Sequence, residues 1–288
     1  MAHPNLKYLR EGSLPHMFCP GCGAGQILNY FIYAIDDLKL DLDKLVTIGG
    51  VGCMSRAPAY LNTSAIHGIH GRNLPFATGI KLTNPELTVV ILMGDGGTAA
   101  IGGNHLIQAA RRNLDVTVIV DNNGSYAMTG GQCAPTTPIS ANSSTSPYGN
   151  SDPPFNLPLL AASCGAVYVA RWTALHIRRL TRSMQEALEK PGFSFVEIIA
   201  PCSTLYARRN KLGTGLDLMK FYHDNSEIKH SADLNTINIA FQNKIVVGKF
   251  VDEEKPTFID NWNENLKHKL GDKFVPYGSD KSQIRAAS

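Results

Sequence analysis

Asp95 stands between Gly94 and Gly96, and Asn122-Asn123 follows 27 to 28 residues later, so a carboxylate and carboxamide oxygens are available from two separate places in the chain. Oxygen donors of that kind suit a hard divalent ion such as Mg2+, which in turn binds a diphosphate. Gly-Asp-Gly alone is usually a turn. The match becomes specific because the second, Asn-bearing loop lies at the distance of one strand-helix-strand unit. The six cysteines are a second source of chemistry. Cys19-Pro20-Gly21-Cys22-Gly23 precedes Ile27, Leu28, Phe31, Ile32 and Ile35 at helical spacing. The dithiol therefore sits at a helix amino terminus, where the dipole and free N–H groups favour thiolate or a sulfide cluster. A lone C-x-x-C reads as a redox dithiol, a zinc half-site or an iron–sulfur half-site. Cys53 follows Gly49, Gly50 and Gly52, glycines that allow close backbone approach to something bound. Cys202 lies just beyond the apolar run 193–199. His67 and His70 have the spacing of metal ligands on a helix, but Gly68 and Gly71 make the stretch 67–72 a loop.

These residues need elements to hold them. Leu87 to Met93 and Val116 to Val120 are apolar strand candidates, joined by a helix-like segment from Ala99 to Asn113. Right-handed crossovers make such strands parallel and put both following loops at the same carboxyl edge of one sheet. Leu45 to Ile48, Val167 to Ala170 and Phe193 to Ile199 add strands, and Leu157 to Cys164, Ala174 to Glu189 and Leu216 to Tyr222 add helices. Ile245 to Val251 reads as a strand or a short helix. The pattern predicts an α/β fold: an open, mostly parallel sheet with helices on both faces. Residues 1 to 16 form an arm, 140 to 155 an extended surface loop, and the last thirty or so a tail on the surface or around a partner. The division expected is a cofactor-binding domain over 1–225 and an extension over 226–288 that packs on a partner subunit.

Composition narrows the function. A net charge of +3 over 288 residues, without a basic run, argues against nucleic acid. The amino terminus lacks an apolar leader, and no apolar run approaches the ~18 residues of a membrane span. The chain reads as cytoplasmic, a compartment in which six cysteines serve metal binding or burial rather than disulfides.

The blocks CPGCG (19–23), GVGCMSRAPAY (50–60), HGIHGR (67–72), GDGGTAAIGGNHLIQAARRN, NNGSYAMTGGQ and APCSTLYARRNKLG (200–213) resemble the β subunit of the 2-oxoacid:ferredoxin oxidoreductases, thiamine-diphosphate enzymes, and within them the branch acting on 2-oxoglutarate. The resemblance spans about residues 15–225. It implies that Asp95 and Asn123 bind Mg2+ by side chain and Ser125 by its carbonyl. It also implies that Gly94, Gly96 and Thr129 line the diphosphate path, that Met128 sits beneath the bent cofactor, and that Gly52, Cys53, His70 and Gly97 complete the cofactor wall. Cys19, Cys22, Cys53 and Cys202 would hold one [4Fe–4S] cluster. Zinc fits four thiolates equally well by count, but a cofactor that sheds electrons favours iron and sulfur. Cys133 and Cys164 are left as structural.

The implied reaction takes 2-oxoglutarate, coenzyme A and oxidised ferredoxin to succinyl-CoA, carbon dioxide and reduced ferredoxin, reversibly. The same chemistry on pyruvate or another 2-oxoacid, a thiamine-dependent decarboxylase without electron transfer, and a non-enzymatic metal scaffold are the alternatives. The resemblance places the glutamate that activates the cofactor on a partner α subunit, in a dimer of αβ units. Arg56, four positions after Gly52, is the candidate for pairing with a substrate carboxylate, because a guanidinium binds carboxylates bidentately. Its plainer reading is a loop anchor. His67, His70 and Arg72 are further pocket candidates, and His70 and Met128 join Arg56 as candidate catalytic residues.

Overall fold

The computed structural model describes residues 3–278, so positions 1–2 of the arm and 279–288 of the tail lie outside the described residues. In chain order the main elements are α1 (Gly23–Asp37), β1 (Leu45–Gly49), β2 (Ser64–His67), α2 (Asn73–Thr83), β3 (Thr88–Gly94), α3 (Gly103–Arg111) and β4 (Val116–Asn122). A small hairpin of β5 (Ser125–Tyr126) and β6 (Gln132–Cys133) follows. Then come α4 (Leu157–Ser163), β7 (Tyr168–Thr173), α5 (Ile177–Glu189), β8 (Phe193–Ile199), α6 (Gly215–Asn225), β9 (Ser226–Ile228), β10 (Ile245–Asp252) and α7 (Phe258–Leu270).

Eight strands form one sheet in the order β2-β1-β3-β4-β8-β7-β10-β9. All neighbours run parallel except β7 and β10, which pair antiparallel. The central strands β1, β4, β7 and β8 are buried at every residue. That is why they read as continuous apolar runs: both faces are covered by helices. Alternate residues divide cleanly between the faces. Leu45, Val90, Leu92, Ile119, Val196 and Ile198 pack with Ile27, Phe31 and Ile35 of α1 and with Leu180 and Met184 of α5. Val46, Ile48, Val89, Ile91, Val118 and Phe195 pack with Leu74 of α2, Leu106 and Ala110 of α3 and Ala161 of α4. The expected fold class is the one observed.

The register places the site. Met93 pairs with Val120 and Gly94 with Asp121, so β3 and β4 end side by side and release Asp95 and Asn123 at one edge. β4 and β8 run in step to Asn122 and Ile199, which brings the Pro201–Cys202 turn to the same edge. One helix was expected over 99–113, and the chain instead forms a wide helical turn, Gly96–Ala100, and then α3. The break falls at Gly102, where an added Cβ would come within 2.0 Å of the Gly97 carbonyl oxygen. Six of these elements went unanticipated: β2, α2, β5, β6, β9 and α7; α2 carries Pro75 in its first turn, where a missing N–H is tolerated. In the presumed tail the chain forms α7, capped by Thr257, whose side chain accepts from the Asp260 N–H while the Asp260 carboxylate accepts from the Thr257 N–H. No α7 residue is buried, so the helix does lie on the surface.

Candidate functional site

One cavity at the carboxyl edge is lined by Gly52, Cys53, His70, Gly94, Asp95, Gly96, Gly97, Asn123, Ser125, Met128 and Thr129, together with Val51, Met54, Asp121, Tyr126 and Ala127. Every residue expected to bind the cofactor is thus on its wall. Four loops supply them, following β1, β2, β3 and β4, the arrangement by which open parallel sheets build sites. Arg56 is not on that wall. It is exposed in the short helical turn Met54–Ala59, its N–H donating to the Cys53 carbonyl at 3.1 Å. His67 closes β2 and is exposed, and Arg72 holds its own loop by donating from Nη1 to the Ile101 carbonyl at 2.9 Å.

Asp95 is 3% exposed. Its Oδ1 accepts from the Gly96 N–H at 2.8 Å and its Oδ2 from the Thr136 hydroxyl at 2.5 Å. Burial outweighs these donors and pushes the carboxyl up to about 6. Asn123 accepts from the Ser125 N–H at 3.3 Å and donates to Asp121 Oδ2 at 3.4 Å. Asp121 is buried and its Oδ1 has no partner. Burial first, then the neighbouring Asp95 charge, raise it to about 7. Two buried carboxyls that act on each other, one with an unpartnered oxygen, concentrate negative charge at this edge. On the opposite wall His70 Nδ1 is buried and unpaired, and burial lowers that imidazole. Its ring meets Tyr126 edge-on at 6.3 Å.

The cysteines converge beside this cavity. The Gly23 N–H donates to the Pro201 carbonyl at 2.9 Å, and the Ser203 hydroxyl to the Pro20 carbonyl at 3.0 Å, so the Cys19–Cys22 loop is tied to the Cys202 loop. Burial pushes the Cys22 thiol up to about 12, with Asp121, Cys53 and Cys202 adding to it. Cys53 rises to about 11 by burial, then by Asp121, Cys202 and Cys19. Cys202 is raised too, by burial, then Asp121 and Cys19. Cys22, Cys53 and Cys202 thus each feel other thiols of the set, while Cys133 and Cys164 do not enter it. All six are free thiols. Among the described residues, no three His, Cys, Asp or Glu side chains form a group that could hold a metal ion as they stand. Cys53 belongs to both the cavity wall and the thiol group, and Asp121 acts on both.

Residues 50–198 match the family of thiamine pyrophosphate enzymes, in their C-terminal TPP-binding domain. The chain is 44% identical to the 2-oxoglutarate synthase subunit KorB of Methanocaldococcus jannaschii over 92% of its own length and 98% of the relative's. It belongs to the KorB family of thiamine-diphosphate enzymes. KorB of Methanothermobacter marburgensis is also 44% identical, over 93% of this chain and 94% of that one. The 2-oxoglutarate:ferredoxin oxidoreductase of Magnetococcus marinus, solved with 2-oxoglutarate, coenzyme A and succinyl-CoA bound, superposes with a TM-score of 0.82 and 32% identity over 99% of this chain and 95% of that chain.

In this KorB-family chain, sequence reasoning missed Asp121, Tyr126 and Thr136. Asp121 ends an apolar run one residue before Asn122, and a carboxylate at the carboxyl end of a buried strand is the signal that identifies it.

Proposed function

We propose that this chain is the β subunit of a thiamine-diphosphate-dependent 2-oxoglutarate:ferredoxin oxidoreductase. It turns 2-oxoglutarate, coenzyme A and oxidised ferredoxin into succinyl-CoA, carbon dioxide and reduced ferredoxin, and the reverse. The observation that carries the reading is the position of Cys53, which lies on the cavity wall and within electrostatic reach of Cys19, Cys22 and Cys202.

Thiamine diphosphate, when bound, would supply the nucleophilic carbon and the electron sink that oxidative decarboxylation of a 2-oxoacid needs. The chain's own residues do the rest. Asp95 and Asn123 side-chain oxygens and the Ser125 carbonyl hold Mg2+, for which the unpartnered Asp121 oxygen adds negative field. The fit is supported by the glycines: an added Cβ at Gly52 would meet nothing within 4 Å and one at Gly94 nothing nearer than the Asp121 carbonyl oxygen at 3.7 Å, so the backbone there is open to close approach by a diphosphate. Met128, partly in solvent on the cavity wall, would support the cofactor, and His70 would offer it an unpaired nitrogen. Cys19, Cys22, Cys53 and Cys202 hold one [4Fe–4S] cluster, which accepts electrons singly. Arg56, exposed one turn beyond Cys53, is the partner for a substrate carboxylate.

An α subunit supplies the glutamate that activates the cofactor, and the complex is a dimer of αβ units. The exposed helix α7, in the extension beyond residue 225, packs on that partner. The enzyme works in the cytoplasm; no helix among the described residues is long and apolar enough to cross a membrane. Assaying the assembled complex with 2-oxoglutarate, pyruvate and branched oxoacids against a low-potential acceptor tests the reading. Turnover of 2-oxoglutarate well above the others is expected, and indifference to it overturns the assignment.

A further inference from the structure

Two charged side chains interrupt strands that are otherwise apolar, Arg171 in β7 and Glu197 in β8, and both are fully buried. Arg171 Nε donates to Glu197 Oε2 at 2.5 Å, and Nη1 donates to the Ile237 carbonyl at 2.5 Å. The other carboxylate oxygen, Glu197 Oε1, accepts from Asn122 Nδ2 at 2.7 Å. Asn122 Oδ1 accepts from the Gly124 N–H at 3.2 Å and lies 2.8 Å from the Thr136 hydroxyl. That hydroxyl is in turn 2.5 Å from Asp95 Oδ2.

The order of these contacts has a physical logic. A buried ion pair rarely repays its desolvation as stability, so its value lies in the geometry it imposes on its neighbours. With its amide nitrogen held by Glu197 and its oxygen held by Gly124, the Asn122 carboxamide has one orientation. Thr136 has a single proton and two acceptors. The hydroxyl donates to both, with the charge-assisted bond to Asp95 Oδ2 the stronger, so the shared proton ties the fixed Asn122 oxygen to the Asp95 carboxylate. We propose that Arg171, Glu197, Asn122 and Thr136 form a buried relay that sets the rotamer of Asp95 for the divalent ion, with Thr136 and Glu197 as positioning residues and the Ile237 carbonyl as its far anchor. The inference rests on the reading of Asp95 as a metal ligand. It also gives a task to the chain beyond residue 225, because Ile237 closes the relay from that side.

The test is Mn2+ binding, read by the loss of the free-ion electron paramagnetic resonance signal, in the purified αβ complex stripped of metal and supplied with thiamine diphosphate. Thr136→Val keeps the volume and removes the proton; it should raise the Mn2+ dissociation constant roughly tenfold, a change of ~1.4 kcal/mol. Thr136→Ser should restore it. The double variant Arg171→Met with Glu197→Met removes the pair without leaving a buried charge, and should weaken Mn2+ in the same direction. Asp95→Ala separates the two ideas. If it abolishes Mn2+ binding while Thr136→Val binds as wild type, the relay is wrong and the metal site stands. If Asp95→Ala binds Mn2+ as wild type, the metal site itself is wrong and the relay falls with it.

Discussion

Gly96 lies directly against Tyr126: an added Cβ would stand 2.1 Å from Cε1 and 2.6 Å from Cζ of that ring. Tyr126 is also the ring that meets His70 across the cavity. Gly96→Ala therefore displaces the tyrosine into the space the cofactor uses. Overpacking of this kind costs about 1–3 kcal/mol. The expected result is a loss of thiamine diphosphate affinity of about tenfold or more with the complex still assembled, measured by titration calorimetry.

Gly23 does for the thiol group what Gly96 does for the cavity. A Cβ at this position would come within 2.4 Å of the Ala200 Cβ and 2.9 Å of Pro201 Cδ. Gly23→Val should lever the Cys19–Cys22 loop away from Cys202. Iron per complex, measured by elemental analysis after anaerobic purification, should fall to less than half of the wild-type value, roughly the loss expected when ~1 kcal/mol or more is taken from a ligand loop. Thiamine diphosphate binding should persist, because Gly23 is not on the cavity wall.

The two raised carboxyls give a pH dependence of known sign. Asp95 is raised to about 6 and Asp121 to about 7, both from an ordinary value near 3.8. The metal-free folded protein thus holds protons that the unfolded chain has already released. The stability these two groups contribute is present below the ordinary carboxylate range and lost as pH rises through about 6 and about 7. Magnesium, which needs the carboxylate, opposes this. Half-saturating Mg2+ should rise about tenfold per unit as pH falls below the Asp95 value. Thermal melts of the stripped and the Mg2+-loaded complex across that interval check both signs, and Asp95→Asn should flatten them.

Lys81 is a structural charge outside the site. It is 3% exposed, and its ammonium donates to the Pro85 and Leu87 carbonyls at 2.8 and 2.9 Å and pairs with Asp115 at 2.6 Å. It therefore fastens the turn that leads into β3. Lys81→Met leaves two carbonyls without that donor and should destabilise by about 2–3 kcal/mol, against about 1 kcal/mol or less for Asp115→Asn, whose carboxylate is partly in solvent. Chemical denaturation of the two variants compares them.

The parallel core was legible because strands covered on both faces leave unbroken apolar runs, and because Asp95 and Asn123 follow two of them directly. The convergence of Cys53 and Cys202 on one edge was legible for the same reason. What was not legible depends on pairing across distance. Arg171 and Glu197 are 26 positions apart, and nothing local says that they face each other on adjacent strands. Thr136 reaches Asp95 over 41 positions, and a hydroxyl in a polar, glycine-rich stretch does not say which side chain it will meet. α7 escaped notice because it buries nothing and so has no strong apolar stripe. Its Thr257 and Asp260 cap was the one local sign. Arg56 is exposed in the turn after Cys53, a placement that its closeness to Gly52 in sequence did not disclose.

The central claim is that one chain holds both the centre that releases electrons and the centre that accepts them. Adding 2-oxoglutarate with coenzyme A, and no ferredoxin, to the anaerobic complex tests it most directly. The iron–sulfur visible absorption should bleach within the first turnovers in the wild type, and should be neither present nor bleached in a Cys53→Ser complex that still binds thiamine diphosphate. A wild-type complex that lacks iron, or whose iron chromophore stays oxidised while 2-oxoglutarate is decarboxylated, would contradict the account.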